Sequence, residues 1–253
     1  PTLTEGRQAP PPLATAEMIG EKEAQLEFWL RMGFEQTSSL VANPIEGLWK
    51  LELPKTLKAA CAAGKVSDAT SISSAVRRGT ALTKNKNLKP AKPMDKERYA
   101  SIVLYTGNSI YRELNQALRQ NHAAVPAWMP YLRLLFESMG CMPKRSVTLW
   151  RGIAADLYDE YEVGKEITWW SVSSCTADEE VARNFMSQLG GDATLITLET
   201  TSAIDIEPLS VYKSEKESLL MPGTKLRVTN RVKNGKVAEI SVVECGSALE
   251  TTA

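Results

Sequence analysis

Ser210-Val211-Tyr212-Lys213-Ser214-Glu215-Lys216-Glu217-Ser218-Leu219-Leu220-Met221-Pro222-Gly223-Thr224 sets two carboxylates two residues apart just ahead of an apolar run. Where a chain enters a strand, residues i and i+2 share a face, so this spacing predicts that Glu215 and Glu217 reach one small site together. Neighbouring carboxylates repel and raise each other's pKa unless a cation offsets the effect. A cationic transition state or a guanidinium substrate is a natural partner for such a pair. Alone, a Glu-Lys-Glu triplet reads as an ordinary solvated loop, because so short a match carries little specificity. Two upstream segments change that reading.

The first is Val147-Thr148-Leu149-Trp150-Arg151-Gly152-Ile153, an apolar β-prone run with one Arg near its end and a Gly beside it. An Arg at a strand end is commonly a surface cation, but a neighbouring Gly lets a ligand approach the backbone, and the guanidinium fork matches phosphate oxygens. The second is Ile167-Thr168-Trp169-Trp170-Ser171-Val172-Ser173-Ser174-Cys175-Thr176, followed by Ala177-Asp178-Glu179-Glu180-Val181-Ala182-Arg183-Asn184-Phe185. An aromatic and β-branched strand runs into a hydroxyl cluster, then into a helix whose Val181, Ala182 and Phe185 share a face. Thr176 with Glu179 fits a capping box. That accounts for Thr176 and leaves Ser173 and Ser174 to other work.

The order Arg151, Ser174-Cys175-Thr176, Glu215-Lys216-Glu217 resembles the Arg-Ser-Glu signature of the mono-ADP-ribosyltransferases related to the clostridial binary toxins and the vertebrate ecto-transferases. Leu149-Trp150-Arg151-Gly152 reads as that family's aromatic-Arg-Gly motif. Ser174-Cys175-Thr176 with Ala182 and Phe185 reads as its Ser-Thr-Ser ahead of an Ala-x-x-Phe helix, with Cys in place of Thr and Thr in place of the last Ser. A second register puts Ser171-Val172-Ser173 in the motif, but Ser174 gives Ala182 and Phe185 their usual spacing. The acidic motif, its apolar run and Pro222-Gly223-Thr224 complete the series, and Tyr105-Thr106 with Tyr111 to Arg119 resembles the preceding helix. The likeness runs from about Tyr99 to Val243, and four motifs in order are far more specific than one.

The resemblance implies an α+β fold in which an N-terminal helical region precedes a split mixed β-sandwich, with NAD bent into the cleft. It implies NAD as co-substrate and a protein acceptor carrying a reactive arginine. Glu217 would steady the oxocarbenium-like ribose and bond its 2′-hydroxyl, with Ser174 holding Glu217. Arg151 would pair with the NAD phosphates, and Gly152, Ser174, Phe185 and Tyr111 would complete the NAD-binding group. Phe185 is open to a second reading, as a helix residue packed in the core. Glu215 occupies the position that selects the acceptor, and a Glu there implies arginine. Water competes at the same centre, so NAD glycohydrolase activity is the alternative, followed by an inert binding member.

Composition adds boundaries. With 30 basic and 30 acidic residues among 253, the formal charge is zero, which argues against nucleic acid or a membrane surface as the main partner. The sequence shows neither a run of 18 apolar residues nor a secretory leader pattern, so no membrane span is expected. The expected place of action is a cytoplasm, its own or, for a secreted effector, a host's. Cys61, Cys141, Cys175 and Cys245 form no Cys-x-x-Cys pair and His122 is the single histidine, so no metal site is expected. Sparse cysteine leans towards a reducing compartment, although a Cys61 to Cys245 disulfide stays open.

Along the chain, residues 1–13 read as a flexible proline-bearing lead-in and 14–95 as an N-terminal helical region. Residues 96–253 read as the catalytic domain. Helices are expected over Ala16–Arg31, Leu57–Ala63, Ser71–Val76, Asp95–Tyr105, Gly107–Gln120 capped by Thr106, and Pro126–Met139. The charged, proline-bearing stretch Lys84–Pro93 reads as the loop between helical region and catalytic body. Strands are expected over Val147–Arg151, Glu166–Ser173, Thr194–Glu199, Ser202–Asp205, Lys225–Lys233 and Lys236–Glu244, with an Asn234-Gly235 hairpin turn. Helices first and strands later indicate α+β. No Rossmann or P-loop glycine pattern appears.

Overall fold

The computed structural model describes residues 43–249 apart from 63–65, 67, 108, 121, 190 and 211–215, together with the backbone alone of Phe185, Gln188 and Leu189. The expected lead-in, the Ala16–Arg31 helix and Glu215 lie outside these residues. The helices are α1 (Leu57–Ala62), α2 (Ala69–Leu82), α3 (Lys96–Thr106), α4 (Tyr111–Arg119), α5 (Val125–Met139) and α6 (Glu179–Leu189). The strands are β1 (Lys144–Ile153), β2 (Glu166–Trp169), β3 (Ser173–Thr176), β4 (Ala193–Asp205), β5 (Glu217–Leu220), β6 (Thr224–Asn234) and β7 (Val237–Ser247). This is an α+β chain.

Local chemistry explains where the elements begin. Asp95 opens α3 by accepting the amides of Glu97 at 3.0 Å and Arg98 at 2.9 Å, and Asp68 opens α2 by accepting Ser71 N at 2.7 Å. Two expected caps fall elsewhere. Thr106 turns back to Val103 O in the last turn of α3, leaving Ile110 to precede α4 without a side-chain cap. Thr176 Oγ1 accepts Asp178 N, while Asp178 accepts Glu180 N and so takes the capping place ahead of α6. Both hydroxyls found a nearer backbone partner than the helix start.

The expected Glu166–Ser173 strand is two, β2 and β3, because the backbone of Val172 is bonded by side chains rather than by a neighbouring strand. The two segments expected at 194–199 and 202–205 are one strand, β4. The last hairpin closes on Asn234↔Val237, so its two-residue turn is Gly235-Lys236, with Gly235 at φ 62°. Cys61 is buried and Cys245 is exposed, and neither is in a disulfide.

The seven strands run in the order β1-β3-β5-β4-β7-β6-β2, and β1 also pairs with β4. All pairings are antiparallel except β4–β7, which is parallel. β1 occupies one edge of β4 along its length, so β7 and β5 must share the other edge. β7 takes Ala193 to Glu199 and β5 takes Ile204 and Asp205. Between them, at residues 200–203, the sheet splits.

The split exposes backbone amides that have lost a strand partner, and Glu244 answers them. Its carboxylate accepts Thr200 Oγ1 at 2.5 Å, Thr201 N at 2.8 Å and Ser202 N at 3.1 Å. Burial alone raises a carboxyl pKa, but these hydrogen bonds outweigh it and hold Glu244 below its ordinary value. A depressed folded-state pKa contributes stability that is present above the unfolded pKa and lost as pH falls through the folded value. Glu244→Gln should therefore cost about 1.5–3 kcal/mol at neutral pH. The mutant and wild-type urea midpoints should converge on acidification; parallel stability-versus-pH curves would refute the role.

Three apolar clusters hold the layers together. The first joins α1 to α5 with Trp170, Val172, Ile204, Ile206 and Leu219, and it begins as early as Ile45 and Leu48. Packing is therefore continuous across the Lys84–Pro93 stretch. The second lies within the sheet around Leu149, Ile153, Trp169, Cys175, Leu220 and Val242. The third seats α6 through Ala182 and Met186 on Ala193 and Leu195, with Trp150 against it.

Candidate active site

Arg151, Ser174 and Glu217 stand on β1, β3 and β5, three successive strands of the sheet. The register is Trp150↔Thr176, Thr176↔Glu217 and Ser174↔Leu219. Residues opposite one another in an antiparallel ladder share a face, and alternate residues return to it. Ser174, Thr176 and Glu217 thus lie on one face, while Ser173 and Cys175 lie on the other. Ser173 Oγ instead sits 3.3 Å from Ser171 Oγ.

Glu217 is fully buried, as is Thr176 directly opposite it. Ser174 is the diagonal neighbour, and its Oγ is buried with no hydrogen bond among the described residues. The Ser174-to-Glu217 bond that the resemblance implies is therefore not formed here. The shared-face pleat begins at Glu217. Lys216, between the two glutamates, has φ 45°, a left-handed conformation uncommon for a side-chain-bearing residue, and β5 begins only at Glu217. Lys216 Nζ lies 3.3 Å from Asp178 Oδ2.

Arg151 is 1% exposed, which is rare for a guanidinium. It is one residue out of phase with Trp150, so alternation sends Trp150 to the α6 side and Arg151 to the Trp169 side. Its Nη1 donates to Ser174 O at 2.5 Å, and its guanidinium carbon sits 5.6 Å from the centroid of the Trp169 ring. The Trp169 indole N–H in turn donates to Tyr161 OH at 2.9 Å. The Ser174 residue is the shared joint: its carbonyl meets Arg151, and its side chain shares the face of Glu217. Gly152 follows in β1 opposite Leu195, buried.

Pro222-Gly223-Thr224 is the turn from β5 into β6. Gly223 N donates to Trp169 O at 2.7 Å, and Thr224 Oγ1 donates to Met221 O at 2.7 Å. Gly223 has φ 89°, a conformation that side-chain-bearing residues rarely adopt, and a Cβ there would stand 2.9 Å from Leu249 Cγ and displace that side chain. Tyr111 opens α4 and is buried in the helical core, its hydroxyl accepting Arg112 Nε at 2.9 Å. Phe185 lies on α6, and its side chain is outside the described set.

Tyr105 on α3 and Asn115 on α4 are not among the expected site residues. They clamp the peptide just ahead of β3. Tyr105 OH donates to Val172 O at 2.9 Å, Asn115 Nδ2 to the same carbonyl at 3.3 Å, and Val172 N to Asn115 Oδ1 at 3.1 Å. Both backbone groups of a buried, strand-breaking residue are thereby satisfied, and the start of β3 is fixed to the helical layer. The available signal was an amide on the apolar face of Leu114, Ala117 and Leu118.

The profile described as NAD:arginine ADP-ribosyltransferase matches residues 58–248, about three quarters of the chain. The chain belongs to the NAD:arginine ADP-ribosyltransferase family. Ecto-ADP-ribosyltransferase 5 from Bos taurus is 31% identical over 150 residues, covering 53% of this chain and 46% of that protein. Exoenzyme T from Pseudomonas aeruginosa is 30% identical over 162 residues, covering 61% of this chain and 34% of that protein. The chain thus spans about half the length of the ecto-transferases it matches. Among solved structures, the type III effector XopAI from Xanthomonas axonopodis pv. citri shares the fold, with TM-score 0.62 at 15% identity, covering 92% of this chain and 100% of that one. Among the described residues, no helix is long and apolar enough to cross a membrane.

Proposed function

We propose that this protein transfers ADP-ribose from NAD to an arginine side chain of a protein acceptor and releases nicotinamide. The observation that carries the reading is the buried Glu217 at the head of β5, sharing a face with Ser174, whose carbonyl receives Arg151, in a chain of this family. When the bond between nicotinamide nitrogen and ribose C1′ breaks, its electron pair leaves with nicotinamide and positive charge develops on the sugar. A fixed carboxylate in a water-poor site stabilises that charge strongly because it need not reorganise.

In this reading Glu217 faces the ribose and its 2′-hydroxyl, and the Ser174 hydroxyl, held without another hydrogen bond among the described residues, steadies it once substrate is present. Arg151 serves the NAD phosphates, with Gly152, Phe185 and Tyr111 completing the NAD-binding group. Glu215 orients the incoming guanidinium and takes its proton as the nitrogen bonds to C1′. The relatives include proteins named exoenzyme and type III effector, which supports action as a secreted effector in a host cytoplasm.

Incubation with NAD labelled in the adenylate and with agmatine tests the reading. Labelled agmatine together with free nicotinamide is the expected outcome, and nicotinamide release without any labelled guanidine would replace transfer by hydrolysis. Arg151→Lys keeps the charge but loses the planar fork, and one ammonium cannot serve Ser174 O, the Trp169 face and a phosphate together. Calorimetry should show NAD affinity weakened at least tenfold, roughly the value of one charge-assisted hydrogen bond. Unchanged affinity would remove Arg151 from the NAD site.

A further inference from the structure

We infer that Arg78, on α2 and outside every motif that marks the family, is a positioning residue for Glu217. The inference rests on the transferase reading above for its functional consequence, but its geometry stands independently. Arg78 Nη2 donates to the carbonyl of Ser210 across 132 residues of sequence. Its Nε is buried and finds no hydrogen bond among the described residues, so the Ser210 carbonyl is the acceptor on which this partly buried cation depends. Ser210 is itself fully buried, at the end of the turn that follows β4.

From Ser210 the path to Glu217 is short and does not run through residues 211–215. Ser210 N donates to Ile206 O at 2.7 Å, and Ile206 N donates to Glu217 O at 3.1 Å. Three hydrogen bonds therefore lead from a guanidinium on α2 to the peptide of the proposed catalytic glutamate. Ile206 and Leu209, which flank this turn, are fully buried in the core shared with the helices. The opposite attachment of this region, Lys216 to Asp178, is an exposed ion pair, and such pairs contribute little. Arg78 is the interior anchor.

The anchor has a rigid base. Gly79, the next residue, lies so close to α3 that a Cβ there would stand 2.3 Å from Lys96 O and 2.9 Å from Ala100 N. Backbone contact between α2 and α3 thus fixes where Arg78 starts. α3 also carries Tyr105, which clamps Val172 ahead of β3. The helical layer consequently holds both strands of the Ser174–Glu217 ribbon, β3 through Tyr105 and Asn115 and β5 through Arg78. Removing the Arg78 fork takes a charge-assisted donor from a buried carbonyl and loosens the turn that sets the height of Glu217.

Misplacement of a catalytic group by a fraction of an ångström lowers turnover more than binding. Arg78→Ala should therefore lower kcat for nicotinamide release by roughly ten- to a hundredfold, with the KM for NAD within about twofold of wild type, since uniform binding is untouched. Arg78→Lys, which still offers one charged donor, should recover part of kcat. Hydrogen exchange, measured well below the melting temperature, should speed up at the amides of Ile206 and Ser210 and stay unchanged in the β6–β7 hairpin. A wild-type kcat in folded Arg78→Ala overturns the proposal, as does unchanged exchange at Ile206 and Ser210, or a raised KM with unchanged kcat, which would make Arg78 an NAD-binding residue. Should the wild-type protein release no nicotinamide, the transferase reading fails and the exchange data alone decide whether Arg78 sets the Glu217 turn.

Discussion

Glu217→Gln should abolish measurable ADP-ribosyl transfer and NAD hydrolysis together while leaving the melting temperature near that of the wild type. The substitution keeps shape and hydrogen-bonding capacity and removes the charge. Loss of one preorganised electrostatic partner of a transition state costs roughly 2.7–4 kcal/mol, a factor of about a hundred to a thousand in kcat. Because Glu217 is fully buried, solvent cannot take its place beside the ribose and the higher figure is the better expectation. The fold should tolerate the change, since an amide is cheaper to bury than a carboxylate. Nicotinamide release by the mutant within tenfold of wild type, for a protein shown to be folded, would take the catalytic role away from Glu217.

The two strands that carry Ser174 and Glu217 were legible because their chemistry is local. Aromatic and β-branched residues lead into β3, an apolar run forms β5, and Pro222-Gly223-Thr224 needs the glycine that the turn's φ demands. Helices ahead of strands gave the fold class, and six of the seven strands overlap expected β segments, while β5 was marked only by its apolar run. What the sequence lacked was pairing. Nothing in Glu166–Ser173 announces that Val172 leaves the sheet, because its partners are Tyr105 and Asn115, far away along the chain. The split in the sheet beside β4 is answered by Glu244 in the same way. Long-range side-chain to backbone bonds leave no periodic trace.

The site was legible as a set of residues but not as a geometry. Alternation around a Glu-Lys-Glu triplet suggests a shared face, yet a left-handed Lys216 lies between the two glutamates and the strand starts after it. Burial of Arg151 against Trp169 was likewise invisible, because a lone Arg near a strand end is as often a surface residue. Arg78 sits beside a second arginine on a helix that mixes serines with small and aliphatic residues, with nothing local to mark it. Its role appears only when Ser210 is brought beside it.

Glu215→Gln should separate transfer from hydrolysis. A guanidinium has a pKa above 12 and is a poor nucleophile until a carboxylate orients it and accepts a proton, assistance worth about 10²–10⁴ in rate. Water needs no guanidinium partner. If Glu217 acts on the ribose and Glu215 on the acceptor, the mutant should lose labelling of agmatine and of protein arginine by at least about a hundredfold. It should keep much of the slow release of nicotinamide to water. The left-handed Lys216 supports a division of labour, because the strand begins only at Glu217 and the shared-face pleat that would tie both carboxylates to one target does not extend ahead of it. Equal losses of transfer and hydrolysis would mean that both carboxylates act on NAD, and the acceptor would then have to be oriented by a group elsewhere in the cleft.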